Sequence, residues 1–403
     1  MKRLLILALL VSVLFPLFSD DQWLQTETEN FTFIYQEEDV PTLEEILTFA
    51  EPVYDDLTNL LGTTTPRVTV VVYGETDFAN GFYNPNPPQH IGIYSVQPSG
   101  PWIGAGTENW LRYLFIHELT HFIQANHQPG LFYGLGTIFG RSISGLDIGF
   151  VPLWIIEGMA IHTESLYTGG GRQHDPLFEL YYKALAIEDD LFTLAQAGYS
   201  SHLAPQGHRP YVAGAFIWRE LELRYGPEYA AQFLDEYTRF PLFGMWRAVR
   251  RTTGVRMTTI YDSITNELIR RYAREASLPV DAQISPEVEG NYSLPSATAR
   301  GLITYRYRPD ERSGLVLFNN SENGERQLAT VPASDRDAWD VTADGLTAVV
   351  ATPTVEAHSA LGSQAKSDLY LLALENNATR RLTENGGYYS PALDERGRYL
   401  VAV

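Results

Sequence analysis

The periodicity of apolar residues changes near residue 280, and this change divides the chain into two parts that must fold differently. Before it, apolar residues recur every three or four positions over long stretches, which predicts helices. After it, short apolar runs alternate with Gly, Asn and Asp, which predicts strands joined by turns. At 403 residues with 44% hydrophobic side chains, the chain is long enough for two cores. We therefore expect an α+β domain over residues 20–280 and an all-β domain over residues 281–403.

Two segments of the second part repeat one pattern. They begin at Ser313 and Ser367, 54 residues apart, as SGLVLFNNSENGERQLATV and SDLYLLALENNATRRLTEN, and a similar strand pair follows each. A period of about 45 to 55 residues with four short strands is typical of β-propeller blades. A propeller closes with roughly four to eight blades. The sequence before Val403 contains only two blades and a fraction of a third. It therefore predicts an incomplete propeller, from a fragment or a truncated gene product.

The first 19 residues have the pattern of a secretory signal peptide. Lys2 and Arg3 precede an apolar run from Leu4 to Phe18, which is shorter than the roughly 20 residues of a membrane-spanning helix. We expect an exported protein, periplasmic or secreted, with no membrane span after cleavage. The chain has no cysteine, so its cores alone must stabilise it. A net charge of −20 argues against nucleic acid and against anionic membranes as partners.

Residues 30–100 predict strands with one helix between them. The runs FTFIY and RVTVVVY, which end at Tyr35 and Tyr73, predict strands, and a helical pattern from about Thr42 to Leu61 separates them. The stretch NGFYNPNPPQ predicts a loop, because it is rich in Gly, Pro and Asn. HIGIYSV, which begins at His90, predicts a further strand.

The best helical pattern runs from Trp110 to about Gln128 and contains HELTH. His117 and His121 lie one turn apart on the same face, where both imidazoles can reach one zinc ion. Glu118, next to the first histidine, can accept a proton from a water on that ion. The helix therefore predicts a zinc site with Glu118 as its catalytic base.

Two residues are candidates for the third zinc ligand. His127 completes the spacing H-E-x-x-H-x-x-G-x-x-H, except that Gln124 replaces the glycine that permits a sharp turn. Glu157 follows His121 by 36 residues, in a second predicted helix that begins at Pro152. Its neighbours are apolar, and a carboxylate in such surroundings needs a partner. A site of two histidines and a glutamate leaves a fourth position open for water.

The chain resembles the gluzincin clan, in particular bacterial exported peptidase-MA-like metallopeptidases fused to a TolB-like β-propeller. The resemblance is carried by HELTHFIQ, PLWIIEGMAIHTES, GGGRQHDPLFELYYKAL, YVAGAFIWRELELRYG and RRLTENGGYYSPALDERGRYLVAV, which with RVTVVVYGETDF cover most of the chain in the family's order. It implies a thermolysin-like fold, one catalytic zinc ion held by His117, His121 and Glu157, and Glu118 as general base. It also implies that HIGIYSV is an edge strand that pairs with an extended peptide. His162 departs from the family, which usually has an aromatic residue at that position.

Peptide hydrolysis also requires a donor to the developing oxyanion. Tyr211 is our candidate, and the alternatives are Tyr199, His202, His208 and Arg209.

Glu164 lies two turns beyond Glu157, where a carboxylate can orient a ligand histidine, but we expect it to be exposed. The leading hypothesis is an exported zinc metallopeptidase that acts on a peptide or protein, with a propeller that can bind a protein partner. The alternative is a non-catalytic envelope scaffold in which the propeller binds that partner.

Overall fold

The computed structural model describes residues 23–74, 79–96, 109–128, 130–140, 143, 146–200, 207–276, 291–308, 311–319, 324–331, 338–359, 362–384 and 386–403. The expected signal peptide, the candidate His202 and the expected domain boundary near residue 280 lie outside these residues. Within them the chain is a mixed α/β structure, with strands first, helices next and several separate sheets last. None of the described helices is both long and apolar enough to cross a membrane.

A five-stranded sheet opens the described chain. Its strands are β1 Leu24–Glu27, β2 Phe31–Tyr35, β3 Val68–Tyr73, β4 Gly81–Asn84 and β5 His90–Tyr94. Their order across the sheet is β1-β2-β3-β5-β4; β2, β3 and β5 are parallel, and the two outer strands are antiparallel to their neighbours. In β3, buried Val68, Val70 and Val72 alternate with half-buried residues. The strands predicted at FTFIY, RVTVVVY and HIGIYSV are confirmed.

The position of β5 within the sheet corrects an expectation. HIGIYSV is not an edge strand, because β4 pairs with it from Gly81 opposite Ile93 to Asn84 opposite His90. β4 lies in the stretch for which we predicted only a loop. The ring of Phe82 in β4 packs 5.8 Å from the His90 ring, a cross-strand contact that a count of Gly, Pro and Asn does not reveal. The edge strands of this sheet are therefore β1 and β4.

Eleven α-helices are present in the described residues. They are α1 Val40–Leu47, α2 Ala50–Leu60, α3 Trp110–Ala125, α4 Leu131–Phe139, α5 Leu153–Tyr167, α6 Pro176–Ile187, α7 Leu194–Ala197, α8 Arg209–Tyr225, α9 Tyr229–Arg239, α10 Gly244–Thr253 and α11 Met257–Ala276. Short 3-10 segments occur at Glu37–Asp39, Leu146–Phe150 and Pro241–Phe243.

Two predicted helices differ from the observed ones. The single helix expected over residues 42–61 is divided into α1 and α2, and Phe49 at the break packs its ring 5.6 Å from that of Phe115 in α3. α3 ends at Ala125 rather than near Gln128. There the side chain of Asn126 donates to the carbonyl of Phe122 (3.0 Å). The helix predicted to begin at Pro152 is α5, and Pro152 is its N-cap.

The last third of the chain forms three antiparallel sheets. The first contains β6 Asn291–Thr298, β7 Gly301–Tyr307, β8 Gly314–Asn319 and β9 Gly324–Thr330. The second contains β10 Trp339–Val341, β11 Thr347–Ser359, β12 Gly362–Ala373 and β13 Ala378–Arg381. The third is the pair β14 Ala392–Leu393 and β15 Leu400–Val401. In both four-stranded sheets each strand pairs with the next in sequence.

Alternate residues of β11 belong to two different cores. Ala348 and Val350 pack in a core that includes β7 and β8 of the first sheet. Val349 and Ala351 pack in another core, together with Leu393 of the third sheet. Since successive side chains of a strand point to opposite faces, the second sheet is covered on both sides.

The turns of successive sheets are joined by equivalent hydrogen bonds. The backbone N–H of Ala299 donates to the carbonyl of Ala343 (2.8 Å), and the N–H of Ala343 donates to that of Glu395 (3.1 Å). The contact between one sheet and the next thus repeats along the chain.

Candidate metal centre

Helix α3 brings together the two histidines of HELTH. Asn109 caps this helix by accepting a hydrogen bond from the backbone N–H of Arg112 (2.8 Å). The four-residue spacing then places His117 and His121 on one face, with ring centroids 4.7 Å apart. Both side chains are buried, as is that of Glu118. One helical turn therefore holds three ionisable groups away from bulk water.

Helix α5 supplies a third group to this pair. It crosses α8 at very short range, because a Cβ atom on Gly158 would lie only 2.4 Å from the Cα of Gly214. Only glycine permits this approach. The preceding residue, Glu157, extends toward α3, where its Oε2 lies 3.4 Å from Nε2 of both His117 and His121.

The three ligand atoms have the spacing of ligands around one metal ion. The Nε2 atoms of His117 and His121 are 3.2 Å apart, and each is 3.4 Å from Oε2 of Glu157. Tetrahedral ligands at about 2.0 to 2.1 Å from zinc are about 3.3 to 3.4 Å from one another. Oε2 of Glu157 is also buried and has no hydrogen-bond partner among the described residues, which is costly without a nearby cation. This buried group can hold a metal ion.

Glu164 contacts His117 at the other nitrogen of the ring. Its side chain is fully buried, so the expectation of an exposed glutamate is wrong. Glu164 is seven residues, or two turns, beyond Glu157, so both carboxylates lie on the face of α5 turned toward α3. Nδ1 of His117 lies 2.8 Å from Oε2 of Glu164, which can only accept, and also 2.8 Å from Nη2 of Arg172, which can only donate. Nε2 of the same ring faces Oε2 of Glu157, on the side of the candidate metal position.

Arg172 balances the charge of Glu164. Its Nε donates to Oε1 and its Nη2 to Oε2, each at 2.8 Å, and its backbone N–H donates to Oε1 (3.2 Å). The guanidinium also lies 5.6 Å from the ring centroid of Tyr113 and 5.4 Å from that of Tyr211. Arg172 therefore links the residue that orients His117 to the candidate oxyanion donor.

Gln124 orients the second histidine. Nδ1 of His121 donates to Oε1 of Gln124 (3.1 Å), and Nε2 of Gln124 donates to the carbonyl of Ile156 in α5 (3.2 Å). Gln124, at the position of the glycine in H-E-x-x-H-x-x-G-x-x-H, thus carries a side chain that connects α3 to α5.

His127 lies outside this group. Its Nε2 is 3.3 Å from the carbonyl oxygen of Leu61, and its Nδ1 is 3.3 Å from Oγ1 of Thr238. Burial lowers the pKa of His127. Of the two candidates for the third ligand, the structure brings Glu157 to the histidine pair and places His127 in contacts between other elements.

The pKa values in the group are set by burial and by close opposite charges. Burial raises the pKa of Glu118, although the two histidines act against this. Burial and the charge of Arg172 lower the pKa of His117, but Glu157 and Glu164 outweigh them and raise it to about 9. Burial alone would raise the pKa of Glu157, whereas His121 and His117 hold it well below its usual range. Without a metal, protons bound to the histidines therefore stabilise the charge of Glu157.

Tyr211 lies beside the metal group at the beginning of α8. Burial and the neighbouring carboxylate of Glu157 raise the pKa of its hydroxyl, so it remains a protonated donor at neutral pH. The described alternatives make different contacts: Tyr199 is exposed, the His208 ring packs 6.3 Å from that of Tyr211, and the Arg209 guanidinium lies 5.6 Å from the centre of the Phe192 ring.

His162 belongs to a separate contact. Its Nε2 lies 3.2 Å from Oε2 of Glu222, and its Nδ1 donates to Oε1 of Gln173 (3.3 Å). Among the described residues, no hydrogen bond or ion pair joins it to His117 or His121.

Arg172 and Gln124 contact the ligand histidines or their partners, although neither was predicted from the sequence as a site residue. A signal for Arg172 is present in GGGRQHD, where a cation follows three glycines directly after α5. Gly171 has a positive φ of 86°, and a Cβ there would lie 2.6 Å from the Cα of Ser165, so the chain turns back against α5 at this point.

No family model and no curated protein matches this sequence.

Proposed function

We propose that this chain is a zinc-dependent metallopeptidase whose metal ligands are His117, His121 and Glu157. The observation that carries the proposal is the spacing of 3.2 to 3.4 Å between the three ligand atoms, with a buried Glu157 oxygen that has no hydrogen-bond partner among the described residues. Two imidazoles and one carboxylate suit zinc, and three protein ligands leave a position for water. Zinc bound there would lower the pKa of that water and polarise a substrate carbonyl.

Glu118 is the base in this proposal. It is buried next to His117, and none of the hydrogen bonds among the described residues engages its carboxylate. Burial raises its pKa toward the range in which a carboxylate exchanges protons effectively. Glu118 accepts a proton from the attacking water and then delivers it to the leaving amine.

Tyr211 is the oxyanion donor in this proposal. Its raised hydroxyl pKa keeps a proton available for the oxygen on which negative charge develops. The Arg172 guanidinium against its ring restricts the orientation of the phenol.

We place the substrate along β4 rather than along HIGIYSV. A Cβ on Gly81 in β4 would lie 2.9 Å from Leu114, and the ring of Tyr83 packs 5.7 Å from that of Phe122. β4 therefore runs beside the part of α3 that contains HELTH. An extended peptide paired with this edge strand would carry its backbone past the metal group.

The resemblance also leads us to propose a gluzincin fold for the first domain and a TolB-like β-propeller for the second. The repeated bonds from Ala299 to Ala343 and from Ala343 to Glu395 support stacked, equivalent blades. We further propose export, on the pattern of residues 1–19.

The test is the zinc content of purified protein, by elemental mass spectrometry, for wild type, Glu157→Ala and His127→Ala. We expect about one zinc per chain in wild type and in His127→Ala, and its loss in Glu157→Ala with folding retained by circular dichroism. If zinc were lost in His127→Ala and retained in Glu157→Ala, the third ligand would be His127 and our assignment of Glu157 would be wrong. A folded wild type that takes up no supplied zinc would rule out the peptidase and leave the binding scaffold.

A further inference from the structure

The local charge of one segment is opposite to that of the whole chain. Residues 237–261 contain five arginines and no Asp or Glu, whereas the net charge of the protein is −20. We call these arginines the arginine rim: Arg239, Arg247, Arg250, Arg251 and Arg256.

Large apolar side chains are exposed in the same segment. Leu242 and Phe243, in the 3-10 segment before α10, are 65% and 71% exposed, and Phe240 and Trp246 on either side are also exposed. We call these four residues the apolar tip. Exposed apolar residues on neighbouring elements enlarge it, since the 3-10 segment Leu146–Phe150 contacts that of Pro241–Phe243. These neighbours are Leu146 and Phe150.

The arginine rim is only partly neutralised by the protein. Glu236 pairs with both Arg247 and Arg251, and Asp235 pairs with Arg239. Arg250 and Arg256 have no acidic partner in the part of the chain that the structure describes. An open cleft of about 610 Å³ lies among these side chains. It is lined by Trp246, Arg247, Arg250, Arg251, Arg256, Met257 and Thr258.

We propose that the apolar tip and the arginine rim form a contact surface for an anionic lipid bilayer. Aromatic and leucine side chains that project from turns can enter the headgroup region, while arginines around them bind phosphate groups. Charge complementarity favours this occupant over a neutral apolar partner. The net charge of −20 opposes anionic membranes for the molecule as a whole, but charges beyond about 10 Å are screened at ordinary salt, so the nearest residues decide.

A bilayer fits this surface better than a second copy of the chain. Phe240, Leu242 and Phe243 stand at a turn, and Trp246 alone of the four tip residues lines the cleft, whose other walls are mostly arginines. A second copy would bring its own arginine rim against this one, with like charges opposed across any symmetric interface.

The test is co-sedimentation of the full chain with vesicles of phosphatidylcholine, with and without phosphatidylglycerol. We expect binding to the anionic vesicles to exceed binding to the neutral ones, and to weaken as salt is raised. Arg250→Glu/Arg256→Glu should lower it at least about tenfold, because each arginine near such a surface contributes on the order of 1 kcal/mol. Leu242→Ser/Phe243→Ser should lower it by loss of apolar insertion.

Arg270→Glu/Arg396→Glu is the matched control, because it changes two other exposed arginines and gives the same net charge. It should bind as wild type does. All the variants retain the apolar run at residues 4–18, so that run cannot explain a difference in binding between them. The proposal would be refuted if Arg250→Glu/Arg256→Glu and Arg270→Glu/Arg396→Glu bound anionic vesicles equally. It would also be refuted if wild type bound neutral and anionic vesicles equally. A dimer in light scattering that Leu242→Ser/Phe243→Ser abolishes would show that a second copy covers the tip. None of these outcomes depends on zinc or on peptidase activity.

Discussion

Glu157 in the helical part and Asp368 in the second C-terminal sheet are both carboxylates inside the protein, but their surroundings differ. Both oxygens of Asp368 accept hydrogen bonds, Oδ2 from Arg381 and Oδ1 from Thr383 and Gly386. Oε2 of Glu157 has two ring nitrogens at 3.4 Å and no hydrogen-bond partner among the described residues. A buried charge that protein groups satisfy stabilises a fold, whereas one they leave unsatisfied indicates a position for a ligand.

Glu164 shows that the difference is not a general property of the helical part. It lies on the same helix as Glu157 and is more deeply buried, yet Arg172 and His117 satisfy both of its oxygens. Buried carboxylates that position other side chains, such as Glu164 and Asp368, therefore have hydrogen-bond donors from the protein at both oxygens. Glu157 and Glu118 are the exceptions, and they lie together at the candidate metal centre.

The largest expected effect is on catalytic rate, and it distinguishes Glu118 from carboxylates that only stabilise the fold. Glu118→Gln should lower the rate of cleavage of an unfolded protein substrate by about 10² to 10⁴, while bound zinc and folding are unchanged. Glu267→Gln, on the exposed side of α11, is the control and should keep full activity. Full activity in Glu118→Gln would remove this residue from the mechanism.

The second prediction compares Asp368 with Glu157 in zinc-free protein. Asp368→Asn should lower the free energy of unfolding of the C-terminal sheets by about 2 to 4 kcal/mol, since Arg381 and Thr383 lose a charged partner. Above pH ~9, where His117 has lost its proton, Glu157→Gln should change the stability of the helical part by less than about 1 kcal/mol, because it removes a charge that a protonated His117 no longer balances. Urea denaturation in the presence of a chelator measures both. Equal losses would contradict the distinction drawn between the two residues.

The third prediction concerns pH. The pKa of His117 is raised to about 9 in the folded zinc-free protein, above its unfolded value of about 6.5. Its contribution to stability is therefore complete below pH ~6.5 and is lost as pH rises toward 9. Zinc competes with this proton, so zinc affinity should increase over the same interval. The difference in Tm between zinc-loaded and zinc-free protein should thus grow from pH 6.5 to 9, and a constant difference would contradict it.

The smallest effect concerns the residues behind His117. Glu164→Gln and Arg172→Gln should each weaken zinc binding by about 10- to 100-fold, because His117 loses its orientation. Arg219→Gln is a matched control: Arg219 also packs over a tyrosine ring, that of Tyr182, but no hydrogen bond or ion pair of the described residues joins it to His117. Competition with a chromophoric chelator provides the affinities. An equal loss in Arg219→Gln would mean that the effect is one of packing.

Local patterns in the sequence predicted correctly that the histidine pair lies on one face of one helix. His117, Glu118 and His121 share one turn of α3, because their relation depends only on the 3.6-residue period of the helix. The strands at FTFIY, RVTVVVY and HIGIYSV follow from alternation and β-branching in the same way. The sequence also supplied the candidates for the third ligand, but the choice between His127 and Glu157 depends on which element packs against α3.

Relations between distant segments were the source of the errors. β4 was missed because a Gly- and Pro-rich stretch becomes a strand only through pairing with β5. Glu164 was expected at the surface because a single glutamate carries no sign of its partner, and Arg172 reaches it only after the turn at Gly171.

The sequence by itself determined the helix with the histidine pair, the neighbouring carboxylate Glu118 and the repeated short strands. Only the tertiary structure decided that Glu157 meets the histidines, that Glu164 and Arg172 stand behind them, and that β4 rather than β5 is an edge strand of the sheet. The physical reason is that helical and strand periods act over a few residues, whereas the close contact of Gly158 with Gly214 joins residues 56 positions apart.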